Sequence, residues 1–366
     1  MHRPPCSASS GHAPRGRPVM THRPTNISSR PRRQRGAIGI MMPFMMITIL
    51  SIGAIAIDVG HLVVVRNELQ NAADAAALAG AAKLYPATPA PQWTNAVSNG
   101  TSAIGLNKAA GVTLSTGAVQ AGYWNLAGSP ATLQAQTIVP TSNDAPAVQV
   151  TISRGAGSNG GPVAMLLAQV FGGSAASTSA TAVAVVSAPG ALLAGATPLP
   201  MVISSCLYSQ FFNPTTGQPL TTSFKIGSSY HYGPCESGQW TTFFSNTNSD
   251  SATKNIINGN TPSPAMKIGD KVWVQTGTKT NLFGEVASEL TGKTVIIPVV
   301  SDPTNTGFQT NGQMSIVAFA AFYIETAVGG SGKYVQGHFV GGAPVTNSGG
   351  GVGPYYGAYV PPRLAK

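Results

Sequence analysis

The sequence predicts an α+β protein: one long N-terminal helix that begins in a membrane, then an α+β domain, then a β-rich domain of sandwich or barrel type. Three observations predict it. Ala37 to Ile57 is a run of 21 residues without a charge. Asp58 to Leu84 repeats its polar and small residues at helical spacing. Further on, β-branched and aromatic runs alternate with Gly, Asn and Pro clusters.

At about 1.5 Å per residue the uncharged run reaches roughly 30 Å, the thickness of a bilayer's hydrocarbon core. Arg30, Arg32, Arg33 and Arg35 precede it directly, and Lys and Arg gather on the cytoplasmic flank of such helices. The reading is a single transmembrane helix over 37–57 with these arginines as topology determinants, a cytoplasmic N-terminus and about 300 exported residues. The charge follows the same division. Of a net +10, eight arginines and no acid lie before Gly36, leaving 13 basic and 11 acidic residues after it. Basic charge confined to a tail, with no aromatic interleaving, does not describe a nucleic-acid face. Its natural neighbour is anionic membrane lipid, at about 1 kcal/mol per charge.

Residues 1–35, rich in Pro, Arg, Ser and His and without apolar periodicity, read as a disordered cytoplasmic tail, with Met20 an alternative start. A cleavable signal competes with the anchor. Ala54-Ile55-Ala56 fits the small-x-small cleavage pattern, and Arg32-Arg33 a twin-arginine signal. However, the apolar stretch exceeds the about 7–15 residues of a signal core, and the sequence runs on unbroken through Ile57-Asp58-Val59 to Val65. A retained anchor is the expectation; the alternative is a secreted β-domain adhesin or polysaccharide-binding module released by signal peptidase.

In the extension 58–85, Asn67, Gln70, Asn71 and Asp74 fall at i, i+3, i+4 and i+7, one polar stripe. Ala73, Ala77 and Gly80 belong to a face of small residues that admits another helix at close range. That helix belongs either to the protein's own domain or to another subunit. In the second case Ala77→Leu impairs assembly and spares the fold. Pro86 closes the pattern, and span plus extension form one rod of about 48 residues, roughly 70 Å long, with Pro43 and Gly60 as candidate bends.

Alternating apolar runs at Gly117–Asn125, Ala147–Ser153 and Ser179–Ser187 predict strands in an exported domain over 87–187, with a short helix in Pro162–Phe171. Residues 188–200 hold Pro189, Gly190, Gly195, Pro198 and Pro200 and read as a linker. In the β-rich domain, 201–366, strands are expected at Lys271–Gln275, Thr294–Val300, Gln313–Thr326 and Lys333–Phe339. Cys206 and Cys235 both fall in the exported part, where a disulfide persists, and are expected to form one.

Catalytic patterns are weak. Ala287-Ser288-Glu289-Leu290-Thr291-Gly292-Lys293-Thr294 resembles a phosphate-binding loop, but a strand pattern follows it where a helix is required. Gly329–Lys333 reads as a hairpin turn. His231 with Cys235 supplies two ligands, too few for zinc. Glu285 and Glu289 would share a face only on a helix. No catalytic residue, cofactor, metal or small-molecule substrate is expected.

Arg33-Gln34-Arg35-Gly36-Ala37-Ile38, the apolar stretch, Ala56-Ile57-Asp58-Val59-Gly60 and then Asn67-Glu68-Leu69-Gln70-Asn71-Ala72-Ala73-Asp74 through Ala81 resemble the N-terminal segment of TadG-like proteins of the TadE/TadG family. The likeness is dense over Arg33–Ala82, and weaker through Ala147–Val150, Met165–Gly172, Ser179–Ala184 and Gly269–Gln275. It implies a bitopic bacterial inner-membrane accessory factor of Tad (Flp) pilus assembly with a pilin-like helix, pseudopilin-like partners, a role in adherence and biofilm formation, and no enzymatic activity. One feature departs from related prepilins, which are cleaved after a Gly and carry a Glu five residues on. Gly36 is present but the fifth residue after it is Met41, so an uncleaved anchor is expected rather than a filament subunit. The Asp-x-Ser-x-Ser metal motif of some larger relatives does not occur.

Overall fold

A computed structural model describes residues 38–85, 90–141, 143–247, 249–275, 279–302, 308 and 312–365. The arginine cluster, Gly36 and the basic tail lie outside the described residues. The chain divides into two compact units, Met1–Ile52 and Gly53–Lys366.

Helix α1 (Ile38–Ala81) is 44 residues long and contains Pro43. In the first unit its apolar side chains are bare, from Ile40 at 74% exposed to Ile49 at 57%. Its two hydroxyls are satisfied inside the helix: Thr48 Oγ1 donates to Phe44 O at 2.9 Å and Ser51 Oγ to Ile47 O at 2.7 Å. An uncovered apolar surface whose polar atoms bond internally is a surface suited to lipid. This is a single-pass membrane anchor.

In the second unit the same helix becomes a core element. Leu69, Ala72, Ala73, Ala76 and Ala77 are at most 1% exposed. The polar stripe lies outside, with Asn67 and Asn71 exposed and Gln70 Nε2 donating to Asp74 Oδ1 at 2.8 Å. Helix α2 (Trp93–Ile104) crosses the small face. A Cβ placed on Gly80 would lie 2.9 Å from Ala96 O, 3.0 Å from Val148 Cγ1 and 3.4 Å from Gly100 Cα. The face of Ala73, Ala77 and Gly80 is therefore filled by the protein's own α2 and sheet. This corrects the alternative in which it receives a partner helix and Ala77→Leu spares the fold.

Behind the helices, β1 (Ala118–Asn125), β2 (Asp144–Arg154) and β3 (Thr178–Val185) form an antiparallel sheet with β2 central, and the C-terminal Arg363–Leu364 adds the strand beside β3. Alternation sets the faces: Val148, Val150, Ile152, Ala182 and Ala184 join α1, while Ala145, Ala147, Val183 and Val185 pack with Trp124 on the other side. The short helix expected in Pro162–Phe171 is a 3₁₀ turn confined to Ala168–Phe171.

Residues read as a linker contain a strand, β4 (Ala188–Leu192), which is the middle of a three-stranded sheet and largely buried. Met266–Lys267 and Ser348–Gly353 flank it, both antiparallel. Small residues here permit close approach rather than freedom: a Cβ on Gly353 would lie 2.7 Å from Pro189 O.

Seven further strands build the largest sheet: β5 (Met201–Ser204), β6 (Phe224–Ile226), β7 (Gly238–Phe243), β8 (Lys271–Gln275), β9 (Thr294–Val300), β10 (Gly312–Val328) and β11 (Tyr334–Phe339), with Tyr355–Tyr356 pairing at β10. The 17-residue β10 pairs with β8 through Gly312–Ser315, with β9 through Ile316–Tyr323 and with β11 through Phe322–Val328. Following neighbours from β10 through β8, β7, β5 and β9 returns to β10, a closed ring of five strands of the barrel kind. One face packs Ile203, Trp240, Ile297 and Phe322 with α3 (Asp250–Ile257) and α4 (Thr280–Glu289). The other packs Val202, Val274, Val300 and Phe319. The protein is α+β with a long N-terminal helix.

Candidate functional site

The suspected catalytic groups have structural employment. Cys206 and Cys235 form a disulfide, so Cys235 offers no thiol, and His231 faces Glu236 at 3.6 Å. Glu285 and Glu289 do share α4, but Glu285 pairs with Lys254 and accepts from Asn258 Nδ2 at 3.2 Å. The loop resembling a phosphate cradle follows α4 and leads into β9, the reverse of the strand–loop–helix order that phosphate binding needs. Among the described residues no three His, Cys, Asp or Glu side chains gather for a metal.

Two arrangements stand out instead. The first lies just past the apolar span. Asp58 is 1% exposed. Its Oδ1 accepts from Leu166 N at 2.7 Å and Leu167 N at 3.2 Å, and its Oδ2 from Leu167 N at 3.0 Å and Ala168 N at 2.6 Å. Those amides open the 3₁₀ turn, where the backbone has donors to spare and favours an anion. One carboxylate thus ties the helix to a turn 108 residues along the chain. Asp58→Asn should lose at least one of these charge-assisted bonds, and the amides of Leu166, Leu167 and Ala168 should exchange with solvent roughly tenfold faster. Site-resolved hydrogen exchange checks this, with the α2 amides as the unaffected control.

The second is a cavity of about 270 Å³ lined by five tyrosines, Tyr85, Tyr123, Tyr208, Tyr355 and Tyr356. Tyr85 follows α1, Tyr123 is on β1, Tyr208 follows β5, and Tyr355-Tyr356 follow the strand Ser348–Gly353. Tyr355 Oη donates to Gln218 Oε1 at 3.3 Å and accepts from Gly342 N at 3.1 Å. The Tyr85 ring stacks on Tyr359 at 5.2 Å, and Tyr359 Oη donates to Tyr85 O at 3.2 Å. Burial pushes the Tyr85, Tyr355 and Tyr356 phenols above the ordinary tyrosine range, so they stay neutral.

Two further lining groups are polar. Ser187 is 3% exposed, and its hydroxyl makes no hydrogen bond. Asp144, at the start of β2, accepts from Asn125 Nδ2 at 3.0 Å, Gln134 Nε2 at 2.7 Å, and Thr141 N and Oγ1 at 2.9 and 2.6 Å. Burial pushes its carboxyl up, but these donors, Thr141 foremost, hold it below the usual carboxylate range. It is ionised, and among the described residues no Lys, Arg or His pairs with it.

Residues 36–83 match the family described as putative Flp pilus-assembly TadE/G-like, and residues 79–184 the one described as putative Tad-like Flp pilus-assembly. The chain is TadE/TadG-like. No curated protein and no solved structure matches it. In this TadE/TadG-like protein the first match takes in the anchor and the core half of α1, with Asp58 inside it. The second takes in α2, β1 and β2, and β3 up to Ala184. The Asp58 clasp joins the two matched stretches, whereas the five-strand ring begins beyond them. The TadE/TadG-like domains give the protein a role in Tad pilus assembly, among other components of that system.

Sequence reasoning found Asp58 only as part of a family pattern, and it singled out none of the five tyrosines. Nothing local marks either. Asp58 reads as an ordinary first charge after an apolar run, and tyrosines 85 to 356 meet only in space.

Proposed function

We propose that this TadE/TadG-like protein is a non-enzymatic accessory factor of Tad (Flp) pilus assembly. It is held in the bacterial inner membrane with its N-terminus in the cytoplasm, and it supports adherence and biofilm formation through protein–protein contacts. The observation that carries the reading is α1. Helix α1 carries a lipid-suited apolar surface over its first part and supplies buried residues to the core of the folded unit over its last part. Eight arginines before the span and none of the acids support the orientation, with Arg30, Arg32, Arg33 and Arg35 as its determinants. The disulfide supports export to an oxidising compartment. The exported part is organised as 87–187 and 201–366, joined through β4 and the returning C-terminus. Cleavage after Ala56 would sever α1 within its helical run, two residues before Asp58, which favours retention. Pseudopilin-like partners engage surfaces other than the filled Ala73–Gly80 face.

In a host carrying the pilus system, deletion of the gene should abolish surface pili and surface attachment, and the intact chain should restore both. A periplasm-dependent reporter fused after Lys366 should be active, and the protein should stay in the membrane fraction with its first residue upstream of Ala37. A cytoplasmic reporter signal, or normal piliation in the deletion strain, would overturn the proposal.

A further inference from the structure

We propose that the tyrosine-lined cavity binds an alkylammonium group. Its described lining combines aromatic rings with a carboxylate, the chemistry that recognises an organic cation, and holds no basic side chain. Five tyrosines line the cavity, and the face of an aromatic ring attracts a cation within about 6 Å of its centre. Asp144 contributes a full negative charge that no Lys, Arg or His among the described residues neutralises. Its four hydrogen bonds hold the carboxylate in place without cancelling that charge. No basic side chain is found among the lining residues described. The unbonded Ser187 hydroxyl, a buried polar atom with no partner in the protein, is left for a polar group of the ligand. About 270 Å³ accommodates a small quaternary ammonium or the end of one lysine side chain, not a folded partner.

The position adds a consequence. Tyr123 and Asp144 come from the β1–β3 sheet, whereas Tyr208, Gln218 and Tyr355 come from segments beyond β4. A cation held between them would fasten these parts together and raise the melting temperature as it saturates.

The test uses the full chain in nanodiscs of phosphatidylglycerol, which carries no ammonium. Choline and N-acetyl-lysine methyl amide are titrated separately, with 3,3-dimethylbutan-1-ol as the neutral isostere of choline and methyl glucoside as a polyhydroxylated neutral probe. Binding is read by calorimetry and by thermal melting. At least one ammonium probe should bind and raise the melting temperature, and choline should bind roughly tenfold or more tightly than its isostere if it is the better of the two. Preference for choline identifies a free quaternary ammonium as the source, and preference for the lysine probe a peptide side chain. Asp144→Asn and Tyr355→Leu should each weaken binding roughly tenfold, while Tyr355→Phe, which keeps the ring, retains most of it. Should the first two variants fail to fold, the comparison of charged and neutral probes on the unaltered protein decides. Failure of both ammonium probes to bind, equal binding of the neutral isostere, or preference for the glucoside would overturn the proposal.

Discussion

Replacing Gly80 with leucine should cost the folded unit roughly 3 kcal/mol, at the upper end of what overpacking a core costs. A single methyl group at this position would already stand 2.9 Å from Ala96 O, a backbone atom that moves only if α2 moves. Val148 of β2 closes the other side at 3.0 Å, so a leucine must separate α1 from both neighbours. Separation would also unpack Ala73, Ala76 and Ala77, each fully buried on that face. Ala77→Leu should act in the same direction at about 1–3 kcal/mol. Asn71→Ala, on the exposed stripe, should stay within about 0.5 kcal/mol. Denaturant midpoints and protease resistance of the detergent-solubilised protein measure all three. A Gly80→Leu protein as stable as Asn71→Ala would mean that the crossing of α1 and α2 is looser than described.

Removing the disulfide should have an effect of similar size on the other half of the unit. Cys206 and Cys235 are 29 residues apart in sequence, with Cα atoms 5.4 Å apart. Closing a loop of that length is worth about 3.5 kcal/mol in the chain-entropy model. The loop carries Leu207, Phe211, Phe212 and Phe224 into the core beside the five-strand ring, so a freed loop puts large aromatic surface at risk of exposure. Cys206→Ala with Cys235→Ala should lower the denaturant midpoint, and the unaltered protein under strong reductant should fall to the same value. If reductant leaves the midpoint unchanged, the bridge is either not formed in the purified protein or not a stabilising element.

Much of this was legible in residues 37 to 85 because the relevant patterns are local. A bilayer asks only for length and the absence of charge, and Ala37–Ile57 shows both. A helix turns every 3.6 residues whatever surrounds it, so the stripe of Asn67, Gln70, Asn71 and Asp74 marked the solvent side correctly for its exposed members Asn67 and Asn71. The strands at Lys271–Gln275 and Thr294–Val300 followed from β-branched runs between turn residues, and their bounds agree with the structure. The linker reading of 188–200 failed at β4 for a physical reason. Gly and Pro mark both loose chain and places where backbones crowd together, and Pro189 beside Gly353 is the second kind.

By itself, then, the sequence determined the anchor, the helical register beyond it, the cysteine pair and the kinship with TadE/TadG-like proteins, all properties of short stretches or of residue type. Only the tertiary structure decided what each face meets. Periodicity shows that Ala73, Ala77 and Gly80 seek a close neighbour but cannot say whose, and the answer is α2 of the same chain. Asp58 finds its donors 108 residues away, and the cavity draws one tyrosine from residue 85 and another from residue 356. Such meetings depend on the free energy of packing the whole unit, to which no single segment holds the key.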